Sequence, residues 1–405
     1  MLAIATLHVA LQVFGAFSPS HAAAVTLEHR SAGNSNIAAI PAKWDVYGYL
    51  FNVTVGSPPQ NITMLSDMTW MAPFVRSGRC LSQFNPELCV AQGQSFFNEH
   101  DSTTFANTTF AQATWPVTAF APNFTVDYGR DKFCIGEICN KDTLMQVSDF
   151  PYPGSVVPVI PFGGIFGLAP TPKVITATSE PVNFQAWKNG KMGPLVGWHT
   201  CEVLKSAATC QGGDAQLVFG GTDTTMYSAK ELQSYEIQNP EWLSDAFYPS
   251  TPPRSNYWTV VDEGSEGLGA PLSLNGYKYL VRHIKSAKLA SKAIIQNIQQ
   301  QGSSGYNTAN QDWYTVACDD LDEYPNLVYQ LDGRKKYTIS AADYVTKLTD
   351  IPGSVCYLNV NVWKYGRTEN GDAKVVLLGK AFLKRKYLVL NFEERSFGLA
   401  PLLTG

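Results

Sequence analysis

Two aspartates carry the chemistry that this sequence offers. Asp67 closes the apolar run in NITMLSDMTW and Asp262 the one in YWTVVDEGS, 195 residues further on. Taken alone, an aspartate after an apolar strand is a turn or cap residue whose oxygen is taken up by nearby backbone. Duplication argues for more. The apolar pair Ile165-Phe166 ends in Gly167, 100 residues after Asp67, and Leu377-Leu378 ends in Gly379, 117 residues after Asp262. A strand, an aspartate and a later apolar-apolar-glycine thus occur twice in one chain. Two carboxylates held about 3 Å apart cannot both ionise, so one keeps its proton while the other is charged. Such a pair can hold a water: the charged member takes a proton from it and the protonated member serves a carbonyl oxygen. Titration belongs to the pair, and neither role is assigned to one residue.

Placing two such groups needs a large scaffold, and the chain has one. Its 405 residues can form two lobes of roughly 150 to 200 residues each. Hydrophobic residues make up 45%, charged residues 16%, with 32 glycines and 24 prolines, the mark of a folded, turn-rich protein. The formal charge of −4 lacks the basic excess that binding phosphate backbones requires, so no nucleic acid partner is expected. From Tyr47 onward short β-type runs alternate with turn signals: YLFNVTV, GSPPQ, NITML, TWPVTAF. The expected fold is mainly antiparallel β, with helices only around Glu180–Lys188 and from about Val281 to Gln301. The polar QQQGSSGYNTANQ stretch reads as an exposed loop.

The start of the chain points to export. Residues 1–24 are apolar and end in Ala22-Ala23-Ala24, as a signal peptide does, although no lysine or arginine precedes Arg30. Nothing later reaches the length of a membrane span, so a secreted, soluble monomer is expected. The eight cysteines fall in neighbouring pairs, Cys80/Cys89, Cys134/Cys139, Cys201/Cys210 and Cys318/Cys356, which in an exported chain read as four disulfides. Zinc is the rival reading of CIGEIC, but no second Cys/His pair lies near, and no metal or cofactor is expected. Acceptor sequences for N-glycosylation occur at Asn52, Asn61, Asn107 and Asn123. The Lys384-Arg385-Lys386 run reads as a solvated strand face.

In order and spacing, these signals resemble the pepsin-like aspartic peptidases from about Asp45 to Pro401. Val55-Gly56-Ser57-Pro58-Pro59-Gln60 is similar to the family's opening turn, Asp67 and Asp262 fall at its two catalytic aspartates, and Val126-Asp127-Tyr128-Gly129 resembles its flap with the tyrosine. Gly164 to Leu168, Gly213 to Gly221, and Leu377 through Pro401 are similar to later family strands. The resemblance implies a bilobal β fold with a cleft, in which 25–44 is a short N-terminal segment, 45–228 the N-terminal lobe and 229–405 the C-terminal lobe. It implies a peptide or protein substrate cut by water activated between Asp67 and Asp262, with Tyr128 and Gly129 near substrate and Gly264 and Ser265 supporting the second aspartate.

Both triplets depart from the family's Asp-Thr/Ser-Gly-Ser/Thr. The first reads Asp67-Met68-Thr69-Trp70, the second Asp262-Glu263-Gly264-Ser265. Met68 cannot make the hydroxyl bond expected at its place, and Glu263 adds an acid beside the pair, with Glu266 close behind. Thr69 stands where a bare glycine backbone is usual, and Trp70 is expected to bring a large ring toward the water. Phe74 replaces a tryptophan that would hydrogen-bond the flap tyrosine. About twenty residues separate the leader from the first matched strand, too few for the usual inhibitory propeptide. Two expectations follow: an endopeptidase whose activity is weak or lost, or a non-catalytic homologue that binds a peptide or protein. No G-x-S-x-G, H-E-x-x-H, Walker loop or G-x-G-x-x-G occurs, so other hydrolase and nucleotide chemistries have no support.

Overall fold

The computed structural model describes residues 9–12, 36–45, 47–80, 96–115, 124–148, 162–169, 178, 180–204, 210–237, 257–264, 269–298, 312–331, 334–348, 351, 353–362, 365–368 and 371–403. The fold is mainly β, as the sequence leads one to expect. It divides into two compact units, one built from Leu27–Leu243 with the returning segment Tyr387–Gly405, the other from Met1–Thr26 and Ser244–Lys386.

The unit that holds Asp67 is organised on a single sheet of fourteen strands among the described residues. Its centre alternates in the way a half-buried strand must. In Gly48–Val55, Phe51, Val53 and Val55 are buried while Asn52 is exposed, and the antiparallel Gln60–Asp67 continues the pattern with Ile62 and Met64 inside and Asn61 outside. Gly164–Gly167 inserts beside it in parallel and pairs antiparallel with Phe74–Arg76 on its other edge. Phe166 stands at the hub of the core. Its ring lies 5.2 Å from Phe51 and 5.4 Å from Phe219, contacts each worth about 0.5–1.5 kcal/mol beyond simple burial.

The long strands Phe124–Ile135 and Ile138–Ser148 form a hairpin that turns at Gly136-Glu137, with Gly136 at φ +56. The Cys134–Cys139 disulfide staples its end. The expected helix near Glu180–Lys188 is present as Val182–Lys188, and Gln185 docks it by bonding both the N–H and the carbonyl of Leu144, at 2.8 Å each.

In the other unit, Tyr257–Val261 runs parallel to Gly371–Leu378. Cys318–Cys356 forms here, and Cys201–Cys210 in the first unit, as the spacing suggested. Cys80 is also disulfide-bonded, while Cys89 lies outside the described residues. The continuous helix expected from Val281 to Gln301 is instead two shorter ones. Leu274–His283 starts on the Ser273 cap, whose hydroxyl accepts from Gly276 N at 3.0 Å. The chain then extends at Ile284, pairs Lys288–Leu289 with Tyr314–Val316, and resumes as Lys292–Ile298, whose isoleucines pack on Trp313, Leu348 and Tyr357. Strand pairing at Lys288–Leu289 overrides the local helical pattern.

The basic run is solvated only in part: Arg385 is exposed, and Lys386 is not. Arg385 bonds Asp343 at 2.7 Å, and Lys386 is buried, donating to the Phe382 carbonyl with its ammonium 4.1 Å above the Phe382 ring. Burial depresses the Lys386 pKa to about 7, Asp343 opposing the shift.

Candidate active site

Asp67 is the last residue of its strand and lies level with Gly167 on the parallel neighbour. The backbone then folds over itself: Leu168 N–H donates to the Asp67 carbonyl at 2.8 Å and Ala169 N–H to the Trp70 carbonyl at 2.9 Å. This crossing leaves no room for a side chain at Gly167, where a Cβ would collide with the carbonyl oxygens of Met71 and Trp70. The glycine that ends the first apolar pair is thus fixed by close backbone approach.

The Asp67 carboxylate is held by its own turn. Its Oδ1 accepts from Thr69 N–H at 2.7 Å and from the Thr69 hydroxyl at 2.6 Å. Burial lifts its pKa above the usual carboxylate value, and the bonds from Thr69 and the backbone of Trp70 offset part of that rise. Thr69, expected to damage the half-site, therefore provides two of its donors. A hydroxyl two residues beyond the aspartate was the sequence signal for this.

Trp70 also differs from expectation. Its ring is buried in a cluster with Leu65, Phe74, Val126, Tyr128, Leu144, Phe162 and Ile165. The tight turn after Asp67 directs the indole into the unit's core, where it contributes about 1.5–3 kcal/mol or more of burial. Met68 is buried as well, at 1% exposure.

The second half-site repeats the first. Val261 pairs with Leu378, Asp262 N–H donates to the Leu378 carbonyl at 3.3 Å, and Asp262 Oδ1 accepts from Gly264 N–H at 2.9 Å. Asp67 ends and Asp262 follows a strand that runs in parallel beside the one carrying the apolar pair before the glycine, and both aspartates take a hydrogen bond from the N–H two residues on. Asp262 is 6% exposed and Glu263 fully buried. Ser265 and Glu266 lie outside the described residues.

Tyr128 and Gly129 sit inside the Phe124–Ile135 strand, Tyr128 opposite Gln146. The Tyr128 ring belongs to the cluster that buries Trp70 and Phe74. Its hydroxyl, which loses a tryptophan partner to Phe74, hydrogen-bonds with Thr178 and Gln146 instead, while burial raises its pKa. Gly129 is flush with the Phe105 ring, which a Cβ would strike.

Asn52, Asn61 and Asn107 are exposed on strands, and Asn123 lies outside the described residues. Among the described residues, one group has the composition of a metal site, His199 with Cys201 and Cys210, and its two cysteines are bonded to each other. No helix among the described residues is long and apolar enough to cross a membrane.

Comparison with known proteins agrees with this architecture. The eukaryotic aspartyl protease family matches residues 48–402. The secreted aspartic protease FUS4 of Gibberella fujikuroi is 96% identical over 405 residues, covering all of both chains. The secreted aspartic protease LUC8 of Fusarium sp is 56% identical over 410 residues, covering 92% of this chain and 93% of the relative. Pepsin A of Bos taurus is similar at greater distance, 23% identical over 355 residues, covering 87% of this chain and 84% of the other. On the span of that match and the identity of these relatives, the chain belongs to the eukaryotic aspartyl protease family, as a secreted member of it.

Proposed function

We propose that the protein is a working aspartic endopeptidase in which Asp67 and Asp262 act as the catalytic pair. The observation that carries this reading is the repeated geometry: each aspartate offers an Oδ1 already bound by the N–H two residues on, from Thr69 in one case and Gly264 in the other. A preorganised carboxylate needs little rearrangement when charge moves during reaction. The ionised member of the pair takes a proton from water, whose oxygen bonds to the peptide carbonyl carbon. The protonated member gives its proton to the carbonyl oxygen, forming a neutral tetrahedral diol. Collapse of the diol breaks the C–N bond, with the amine leaving protonated.

Thr69 and Trp70 do not argue against this chemistry. One holds the carboxylate, and the other packs in the core. Tyr128 and Gly129 enter as supports, Tyr128 backing Trp70 and Gly129 admitting Phe105, rather than as groups that touch substrate. Met68 and Glu263 are the residues that favour the alternative, a homologue that binds peptides without cutting them.

Incubating the purified protein with a mixed peptide library in acid, and weighing the acid-quenched protein by mass spectrometry, separates the readings. Hydrolysis with no acylated protein in the quenched sample supports direct attack by water. An acylated protein would reveal a covalent intermediate and sink the mechanism, and binding without any cleavage would leave the non-catalytic reading.

A further inference from the structure

Two of the acceptor sequences, Asn52-Val53-Thr54 and Asn61-Ile62-Thr63, lie on adjacent strands of one hairpin, and the register interlocks them. Asn52 pairs with Thr63, and Thr54 pairs with Asn61. Because strand side chains alternate, all four residues share the face opposite the buried Val53 and Ile62. Both asparagines are exposed. Their diagonal placement sets them about 7–8 Å apart.

The side-chain bonding distinguishes the two amide atoms of Asn52. Its Oδ1 accepts from the Thr63 hydroxyl at 2.8 Å, which fixes the plane of the amide. Its Nδ2, the atom that bonds a sugar, is left directed away from that contact. A glycan on Nδ2 keeps the Oδ1 acceptor intact, so the folded hairpin accommodates the modification without losing the bond.

We propose that Asn52 and Asn61 carry N-glycans side by side on one hairpin face, and that Thr63 serves both sites. In the unfolded chain Thr63 completes the acceptor signal of Asn61, and in the folded chain it anchors the amide of Asn52. In the transfer step, Nδ2 of each asparagine loses a proton and bonds the anomeric carbon of a lipid-pyrophosphate-linked oligosaccharide. The C–O bond to the pyrophosphate breaks, and the lipid pyrophosphate leaves with the bonding pair. Two glycans so close cover this face of the sheet with hydrated sugar, which keeps other protein chains from docking on it.

Glycopeptide mass spectrometry of the secreted protein tests the pair. The expected result is occupancy at both asparagines in the wild type and in Thr63→Ser. Thr63→Ala is expected to lose only the Asn61 glycan. Its melting temperature should fall about 1–2 °C below that of Asn61→Gln, which loses the same glycan but keeps the anchor. An empty Asn52 or Asn61 in the wild type would overturn the proposal, and that readout needs no variant to fold. Equal melting of Thr63→Ala and Asn61→Gln would remove the anchoring role.

Discussion

Thr69 binds Asp67 twice on one oxygen, with its hydroxyl 2.6 Å and its backbone N–H 2.7 Å from Oδ1. Both donors favour the ionised carboxylate, and burial works against them hard enough to leave the pKa raised. The half-site is therefore set by two opposing effects, and removing one donor should raise the pKa further. Thr69→Val keeps the shape and the N–H but deletes the hydroxyl. Its kcat/KM should fall about tenfold, the worth of one hydrogen bond to a charged group, and one limb of its pH profile, the acid or the basic one according to which role Asp67 takes in the pair, should move to higher pH. Both limbs left in place would mean that the Thr69 bond plays no part in setting the titration of the pair.

Gly167 is needed because the backbone of Met71 and Trp70 crosses it, and carbonyl groups cannot swing aside as flexible side chains do. Gly167→Ala should destabilise the protein by about 3 kcal/mol or more, with activity lost in step as Asp67 is displaced. Thermal denaturation checks this. An alanine variant with wild-type melting would show that the crossing is looser than described.

His199 sets an acid limit. It is fully buried, stacked 5.4 Å from Tyr387, which itself stacks on Tyr227, and its Nε2 lies 3.8 Å from Cys210 Sγ. Burial pushes its pKa down to about 4, and Asp223 only partly opposes this. Because the folded value lies below the unfolded one, the full contribution to stability is present above about pH 6.5 and fades as pH falls toward 4, where about 3 kcal/mol is lost. His199→Phe keeps a stacked ring without a titrating group. Its melting temperature should fall less than that of the wild type between those two pH values, and parallel curves would contradict the assignment.

Much of this was legible in residues whose roles depend on repetition. Asp67 and Asp262 stood out because an aspartate and a later glycine recurred, and a duplicated fold repeats its backbone before its side chains. Disulfide pairs of short spacing were readable for the same local reason. What the sequence did not reveal was direction. Whether Trp70 faces solvent or core is decided by the turn after Asp67, and that turn is set by Gly167, a hundred residues away. Thr69 looked like a poor glycine until its hydroxyl was seen to reach back two residues. Tyr128 sat in a familiar motif, yet pairing with Gln146 places it within a strand whose turn comes later, at Gly136. The helix expected through Val281–Gln301 failed because a two-residue strand found a partner at Tyr314.

The central claim is that Asp67 and Asp262 together cut peptide bonds. Its most direct test is cleavage of a broad peptide library by the purified secreted protein from about pH 3 to pH 7, beside Asp67→Asn and Asp262→Asn. The account predicts cleavage in acid by the wild type and a loss of about a thousandfold or more in each variant, with both variants folded. Cleavage that survives either substitution, or a folded wild type that cuts nothing, would contradict it.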